Sequence, residues 1–358
     1  MSELGIAKEV KVIDALEHTT ALFRKVYAQA YLDLVDRAPG LLGWLYDTLD
    51  KPWKNEKRRL AVDRLNSLRL VKLLEKEKPD VAVSTHFLPS EILSWMKGRG
   101  CLACPQAVVV TDFDVHAMWL ARNVERWFVA LEETRVHLSQ LGVPAENVRV
   151  TGIPVKPAFA QKKSRAAMRT KHGLEADRPV VLVSAGGFGV GPVEKIVPVL
   201  LSSELPLQII ALCGKGEELR RKLERLAEKA PGGRARLRSV GFTTEMDEWM
   251  AAADLLVSKS GGLTTSEAMA SALPMVVVNP IPGQEERNSD HLLERGAAVR
   301  CNNLPALAWK VDSLLSDCKR LAAMRAAAEA LGRPRAAYDV AQEVARMFTN
   351  GRRAPNPS

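Results

Sequence analysis

The sequence predicts an α/β protein composed of two doubly wound domains that face a cleft. The chain has 358 residues, which is enough for two domains of ordinary size. Short apolar runs alternate with helical patterns in both halves, as is typical of parallel sheets. A polar stretch at residues 161–178 separates the two series of strands, and its composition is typical of a connection between domains.

The N-terminal domain is predicted at residues 1–160. Its predicted strands are EVKVIDAL, PDVAVSTH, PQAVVVTD, RWFVAL and NVRVTGIPV, and its helices include PSEILSWMKGRG and EETRVHLSQLG. The opening MSELG has the pattern of a last helical turn with Gly5 as its C-cap. A doubly wound domain normally begins with a strand and a glycine-rich turn before that helix. We therefore expect this domain to lack its first strand and turn, either because Met1 is an internal methionine or because the protein has no such strand.

The second domain is predicted at residues 179–335. Its predicted strands are PVVLVSAGG, LQIIALCG, ARLRSVGF, DLLVSKSGG, PMVVVNP and AAVRC, and its helices include EELRRKLERLAEKA, MDEWMAAA and LTTSEAMASAL. A last helix at 336–349 is predicted to pack back on the N-terminal domain. The tail at 350–358 is predicted to be disordered.

Composition excludes several classes of protein. A content of 47% hydrophobic and 26% charged residues is typical of a soluble globular chain. No apolar run approaches the ~18 residues of a membrane-spanning helix, and the N-terminus has no apolar signal-peptide core. Five scattered cysteines do not form a disulfide framework; Cys101 and Cys104 form a lone C-x-x-C, which favours two ordinary thiols over a zinc or redox site. We expect a cytoplasmic protein.

The net charge of +9 is concentrated in one segment. Residues 51–72 hold eight Lys or Arg, among them Lys57, Arg58 and Arg59, and are predicted to form a basic amphipathic helix. Trp44 and Trp53 lie in the apolar stretch 38–53, which runs into the start of this segment. Aromatic residues beside cations suit an anionic membrane surface, although a solvated helix face above a packed apolar patch explains the pattern equally well. Nucleic acid is not an expected partner, because no recognised binding module accompanies the charge.

The segment DLLVSKSGGLTTSEAMASAL reads as a strand, two glycines and a helix. Paired glycines let an anion approach the backbone, where the N–H groups of Gly262, Leu263 and Thr264 and the helix dipole would bind a phosphate. The Glu267 carboxylate, in the early turns of the helix, could accept two hydrogen bonds from a ribose diol. The alternative is a tight turn with a helix cap.

The next segment, NPIPGQEERNSDHL, is predicted as a polar loop that presents Gln284, Glu285 and Asn288 to sugar hydroxyls. Phosphate, ribose and sugar recognition within one short span is what a nucleotide-sugar site requires. A further glycine turn, SAGGFGVG, places Gly186 and Gly187 after the first strand of the domain, where they would line the same cleft or form an ordinary tight turn.

At this point the sequence resembles a known family. The segment KSGGLTTSEAMASALPMVVVNPIPGQEERNSDHLLERGAA resembles the donor-binding signature of the monogalactosyldiacylglycerol synthases and processive diacylglycerol glucosyltransferases. The resemblance extends to DALEHTTALFRKVYAQAYLDLVDRAPGLLGWLYDTLD, VTDFDVHAMW, VRVTGIPVKPAF and CGKGEEL. It implies a GT-B fold of two facing Rossmann-like domains, of which the first binds the lipid acceptor and the membrane and the second binds the UDP-sugar.

The resemblance also implies roles for individual residues. The ribose would be held by Glu267, the sugar by Gln284 and Glu285, and the uracil would lie beside the backbone of Phe242. The diphosphate would be held by the residues at the start of the helix, namely Gly261, Gly262, Leu263 and Thr264.

The family's other hallmark, a glycine-rich turn ending in a histidine that serves as the usual base, is absent from this sequence. Among the residues present, the candidates on the acceptor side are His86, Asp112 and His116, which all follow predicted strands. Asp112 could accept the acceptor's proton or orient a histidine, and Trp119 could line the acyl-glycerol path. For each histidine the alternative is a hydrogen-bonded structural imidazole.

The resemblance implies an inverting hexose transfer from UDP-glucose or UDP-galactose to diacylglycerol, which we expect on the cytoplasmic face of a membrane and without a cofactor. The Asp112–Asp114 pair has the D-x-D spacing of a metal site, but it lies in the acceptor half, and the helix start at Gly261–Thr264 could stabilise the departing UDP instead. Two alternatives are a UDP-sugar transferase for another lipid acceptor and a non-catalytic UDP-sugar-binding protein.

Overall fold

The computed structural model describes residues 1, 4–25, 34, 38–54, 56–184, 193–229 and 234–351; for residues 39, 56–59, 229 and 348–351 it describes the backbone alone. The chain divides into two compact units. The first comprises Met1–Pro154, Pro282–Gln284 and Arg335–Ser358, and the second comprises Val155–Ile281 and Glu285–Pro334. Each unit is built on a parallel sheet, which confirms the predicted fold class of two parallel-sheet α/β domains.

The first unit contains four parallel strands in the order β1-β2-β3-β4 within the part of the chain described here. They are β1 (Ala82–Ser84), β2 (Gln106–Val109), β3 (Arg126–Val129) and β4 (Val148–Val150). The helices of this unit are α1 (Pro39–Leu49), α2 (Glu56–Asn66), α3 (Leu68–Glu77), α4 (Phe87–Gly98) and α5 (Glu132–Gln140). All four residues of β2 are buried, as expected for an inner strand with both faces covered.

Two predictions for the first unit are wrong in detail. Among the described residues no strand precedes β1, and EVKVIDAL instead leads into a short 3₁₀ helix, Ala15–His18, whose first turn is capped by Asp14. Val10 and Val12 alternate as in a strand, yet both are exposed, and a strand-like pattern without a pairing neighbour does not make a strand. The single basic helix predicted at 51–72 is two helices, α2 and α3, which meet at the buried Ser67.

The second unit has six parallel strands in the order β10-β9-β8-β5-β6-β7. They are β5 (Val180–Ser184), β6 (Gln208–Leu212), β7 (Arg236–Val240), β8 (Leu255–Ser258), β9 (Met275–Val278) and β10 (Ala298–Cys301). These are the six strands that the sequence predicts for this half. The strand order reverses where β5 and β8 pair, and ligands of such sheets bind outside the carboxyl ends of the strands at that switch point.

Helices cover both faces of this sheet, so that β5, β6, β8 and β9 are entirely buried. The helices of this unit are α6 (Arg165–Lys171), α7 (Val193–Leu200), α8 (Glu217–Lys229), α9 (Met246–Ala252), α10 (Gly262–Ala270), α11 (Gln284–Glu294), α12 (Leu307–Ser316) and α13 (Cys318–Leu331). Two of them differ from the sequence prediction. Helix α6 lies within the stretch predicted as a connection at 161–178, and α11 replaces the predicted polar loop after β9.

The chain returns to the first unit with α14 (Ala336–Gly351). Its apolar residues Val340, Val344 and Met347 pack against Val109 and Phe128 of the first sheet. Of the predicted tail at 350–358, residues 352–358 lie outside the described part. Across the described residues, no helix has the length and apolar content needed to cross a membrane.

Candidate functional site

The two glycines after β8 start α10 at the switch point of the second sheet. Gly261 is the N-cap residue, with extended backbone (φ −62°, ψ 140°), and the first helical bond runs from the Thr265 N–H to the Gly261 carbonyl oxygen at 2.9 Å. The preceding N–H groups of the first turn, from Gly262 to Thr264, have no intrahelical acceptor. Together with the helix dipole they form an anion-binding helix start, as the sequence predicts for this position.

Glu267 lies one turn further along α10, mostly buried in the second unit. Burial raises the pKa of Glu267 to about 7; Lys156 opposes this shift and Asp247 adds to it. The Asp247 carboxylate is itself paired with Lys163, with a distance of 2.6 Å between Nζ and Oδ2. Glu267 therefore changes its protonation near neutral pH in the unliganded protein, and a ligand that hydrogen-bonds to its carboxylate would favour the ionised form.

Glu285 ties the loop after β8 to the start of α11. Its Oε2 accepts a hydrogen bond from the Ile281 N–H at 2.8 Å, and its carbonyl oxygen accepts one from the Ser260 hydroxyl at 2.6 Å. The Asn288 amide, fully buried, donates to the Ser260 carbonyl oxygen at 3.1 Å. The Lys259 Nζ lies 3.7 Å from the Glu285 Oε1. Burial raises the pKa of Glu285, and Lys259 opposes that shift.

The first glycine of the pair lies beside Glu285. A methyl group at Gly261 would lie 3.5 Å from the Glu285 Oε1, an ordinary van der Waals distance. Residues that are far apart in the sequence are thus brought together at one edge of the second sheet. The sequence predicts Asn288 as a ligand of sugar hydroxyls, whereas in the structure its amide donates to Ser260. The sequence does not single out Lys259 and Ser260, whose only signal is their position inside the segment that resembles the family's donor signature.

Gln284 and Glu285 are neighbours in sequence, but their side chains lie in different surroundings. Gln284 belongs to the first unit, where its side-chain amide donates to the Asp112 Oδ1 at 2.6 Å. The preceding Gly283 has φ +84°, and a methyl group there would lie 2.6 Å from the Tyr46 Cδ1. Only glycine fits at position 283, because the backbone there is left-handed and the Tyr46 ring occupies the space of a side chain.

Both candidate histidines of the first unit cap helices. The His86 Nδ1 accepts from the Leu88 N–H at 3.2 Å at the start of α4, and burial lowers the pKa of His86 to about 4. The His116 Nδ1 accepts from the Met118 N–H at 3.1 Å. Because Nδ1 accepts, the proton of a neutral His116 lies on Nε2, which is 2.9 Å from the Tyr46 carbonyl oxygen. In this arrangement both ring nitrogens of His116 make structural hydrogen bonds.

Asp112 is buried at the end of the same sheet and is the acceptor-side candidate that does not cap a helix in this structure. The second carboxylate of the D-x-D motif, Asp114, accepts from the Val115 N–H at 2.8 Å and lies 3.7 Å from His137. The two carboxylates therefore have different neighbours.

The predicted aromatic residues divide into exposed and buried ones. Phe242 follows β7, is 66% exposed, and has the Lys215 ammonium 6.0 Å from its ring centroid. Trp44 on α1 is 63% exposed. Trp53 is instead tied into the first unit, since its indole N–H donates to the Leu141 carbonyl oxygen at 3.1 Å. Trp119 is buried and packs edge-on against Phe87.

Some predicted residues lie outside the described part of the chain. These are Gly186 and Gly187 and the side chains of Lys57, Arg58 and Arg59.

One group of side chains in the described residues has the spacing of a metal site. It consists of His172, Glu245 and Glu248 of the second unit. The Lys171 ammonium donates to Glu248 at 2.6 Å and to Glu245 at 3.1 Å, and the His172 Nε2 lies 2.9 Å from Glu248. This lysine already neutralises much of the negative charge, so the group is explained as a surface ion-pair network.

The chain matches two sequence families. Residues 2–155 match monogalactosyldiacylglycerol (MGDG) synthase, and residues 165–331 match glycosyl transferases group 1. A curated relative from Bacillus cereus, named processive diacylglycerol beta-glucosyltransferase, is 33% identical over 277 residues, which cover 77% of this chain and 70% of the relative.

Solved structures show the same fold at lower identity. MurG from Acinetobacter baumannii aligns with a TM-score of 0.58 and 19% identity, covering 80% of this chain and 78% of that one. HepE from Anabaena, solved with UDP and glucose, aligns with a TM-score of 0.53 and 15% identity, covering 79% and 82%. With the two parallel-sheet units, these likenesses give the fold as GT-B. Fold, donor signature and sequence identity together place this chain in the family of the monogalactosyldiacylglycerol synthases and processive diacylglycerol β-glucosyltransferases.

Proposed function

We propose that this protein transfers a glucosyl residue from UDP-glucose to diacylglycerol with inversion at the anomeric carbon, giving a β-glucosyldiacylglycerol. The observation that carries the proposal is the helix start at Gly261 and Gly262, which lies at the switch point with Glu267 one turn away and Glu285 against it. The choice of glucose is supported by the relative from Bacillus cereus, whose name states a beta-glucosyltransferase.

On the donor side, the diphosphate would bind the N–H groups at the start of α10. These dipoles are fixed before the reaction and would stabilise the charge that grows on UDP as it departs, which is the task a metal ion performs in other enzymes. The Glu267 carboxylate would accept hydrogen bonds from the ribose hydroxyls. We therefore expect the transfer to need no divalent metal and no cofactor.

On the acceptor side, Asp112 is the group we propose to accept the proton. As the glycerol oxygen forms its bond to the anomeric carbon, the bond from that carbon to the UDP oxygen breaks with its electron pair, and the hydroxyl proton passes to the Asp112 carboxylate. The Gln284 amide that donates to the Asp112 Oδ1 would fix the orientation of this carboxylate. His86 and His116, which cap helices, would then shape the first unit around it.

The lipid acceptor requires access to a membrane surface. Helix α1 exposes Leu41, Trp44 and Leu49, with exposed fractions of 53%, 63% and 38%. The exposed cations Lys51 and Lys54 follow directly in the chain. We propose that this apolar and cationic surface, Leu41–Lys54, binds an anionic bilayer peripherally, with the aromatic ring in the headgroup layer.

A second donor is favoured by one observation. The match to monogalactosyldiacylglycerol synthase at residues 2–155 points to UDP-galactose. That match lies in the acceptor half, however, whereas the hexose would be read by the donor half. We therefore rank galactose second.

The test is product formation on anionic vesicles that contain diacylglycerol, with UDP-glucose or UDP-galactose and with or without EDTA. We expect a β-glucosyl lipid from UDP-glucose at an undiminished rate in EDTA. Product from UDP-galactose alone would mean that the donor is UDP-galactose and not UDP-glucose. A requirement for a divalent ion would overturn the metal-free mechanism. Saturable UDP binding without any product would favour another acceptor or a binding protein.

A further inference from the structure

We propose that Lys259 is a donor-binding residue whose ammonium contacts the diphosphate of the nucleotide sugar and is held in position by Glu285. The inference rests on the proposed function, since it names a residue for the same donor site. Lys259 is the last residue but one before the N-cap Gly261, on the loop that leaves β8.

Lys259 is largely buried but incompletely paired. The side chains of Lys259 and Glu285 are only 14% and 12% exposed, yet the distance between Nζ and Oε1 is 3.7 Å. A strong charge-assisted hydrogen bond is about 2.7–2.9 Å long. A lysine ammonium has three N–H donors, and Glu285 is the acidic group within 4.0 Å of Nζ among the residues that the structure describes. The ammonium therefore retains capacity for an acceptor of higher charge.

The start of α10 adds positive electrostatic potential near Lys259. A helix N-terminus carries a partial positive charge, so a cation close to it is unfavourable in the absence of an anion. The Glu285 carboxylate beside Lys259 is shared, because its Oε2 also accepts from the Ile281 N–H at 2.8 Å. A largely buried cation, a helix N-terminus and the shared Glu285 carboxylate leave a surplus of positive charge. A diphosphate group supplies the negative charge that would balance it.

Lys259 and the helix start both lie close to the same oxygen of Glu285. The Lys259 Nζ lies 3.7 Å from the Glu285 Oε1, and a methyl group at Gly261 would lie 3.5 Å from the same oxygen. The lysine ammonium and the anion-binding helix start therefore flank one carboxylate oxygen. The loop that carries both is fixed on its other side by the hydrogen bonds of Ser260 to Glu285 and Asn288. Lys259 is thereby positioned before any donor arrives.

The test compares UDP with UMP, because the two ligands differ by the β-phosphate. Binding constants are measured by calorimetry on the full chain at pH 8 for wild type, Lys259→Met, Lys259→Arg and Glu285→Gln. For Lys259→Met we expect UDP to bind about 10- to 30-fold more weakly and UMP to change less than about threefold, as fits the loss of a charge-assisted bond of about 1.5–2 kcal/mol. Lys259→Arg should keep most of the affinity for UDP, because the positive charge remains.

Glu285→Gln is the matched control, because it removes the partner and keeps the cation. If Lys259 served only to hold Glu285, both variants would weaken UDP and UMP to the same extent, and the inference would be overturned. Unchanged UDP binding by Lys259→Met would overturn it as well. Lys259→Gln covers the case in which Lys259→Met does not fold. Failure of the wild type to bind UDP would instead overturn the proposed function.

Discussion

The two units differ in how they use the polar residues that follow their strands. In the second unit, the residues after β8 and β9 meet at a switch point, and Ser260, Glu285 and Asn288 bond to one another around a helix start. In the first unit, the histidines after β1 and β2 accept backbone N–H groups two residues ahead. The comparison teaches that a polar residue at the carboxyl end of a strand has two competing uses, capping the next helix and binding a ligand.

Sheet topology accounts for part of the difference. The strand order of the second sheet reverses between β8 and β5, so the two connections leave in different directions and the sheet edge between them is accessible to a ligand. The described strands of the first sheet follow one another without a reversal. The first helical residue after β1, Phe87, directly follows His86, so the imidazole meets the Leu88 N–H, which would otherwise lack a partner.

The largest effect is expected at Asp112, the residue of the first unit that we propose as the proton acceptor. Replacing it as Asp112→Asn removes the proton acceptor and keeps the size, so glycolipid formation should fall by about 10³-fold, within the range of general-base catalysis. Initial rates on diacylglycerol vesicles measure the change, and calorimetry should find UDP affinity unaltered. A loss smaller than about tenfold would mean that another group takes the proton.

A substitution at Glu267 tests whether the second unit binds the nucleotide through this carboxylate. The variant Glu267→Gln should bind UDP about 10- to 100-fold more weakly at pH 8, because an ionised acceptor makes hydrogen bonds worth about 1.5–3 kcal/mol. Since burial raises the pKa of Glu267 to about 7, the wild type should gain UDP affinity as the pH rises from 6 to 8 and the carboxylate ionises. Titrations across this range should give a smaller change for the variant, which keeps only the ionisation of the UDP terminal phosphate. An equal pH dependence in both proteins would contradict the assignment.

A substitution at Trp44 tests the proposed membrane-binding surface on α1. Replacing this exposed ring as Trp44→Ser should reduce partitioning onto anionic vesicles by about tenfold or more, given about 1.5–3 kcal/mol for burial of a large apolar side chain. Trp309 of α12 is 70% exposed on the second unit and provides the matched control. Vesicle co-sedimentation should leave Trp309→Ser with wild-type binding. Equal losses in both variants would argue against a specific membrane surface on α1.

The smallest effects are expected for the two histidines. Asparagine also accepts a backbone N–H as an N-cap, so His86→Asn and His116→Asn should keep activity within a few fold, whereas the alanine variants should lose roughly 1 kcal/mol of unfolding free energy. Urea denaturation and initial rates separate the two properties. A loss of activity of about 10³-fold in an asparagine variant that still folds and binds UDP would identify that histidine as the base and reverse the comparison.

Local sequence patterns predicted much of the fold. Four of the six strands of the second unit are mostly apolar runs that are entirely buried, so hydrophobicity located them. The helix start at Gly262 was also predictable, because two glycines between a strand and a helical pattern have a local meaning. The wrong prediction of a first strand also follows from relying on local pattern. The alternating valines before Asp14 resemble a strand, but a strand needs a neighbour that local pattern does not supply.

By itself, the sequence determined the α/β class, the family and the positions of Gly261, Glu267 and Asp112 relative to the strands. Tertiary structure decided which partners these side chains meet. It placed the Gln284 amide against Asp112 but the adjacent Glu285 against Gly261, and it brought Lys259 beside Glu285. The reason is physical: periodicity and backbone preference act over a few residues, whereas the partner of a polar side chain depends on which strand edges the crossover connections bring together.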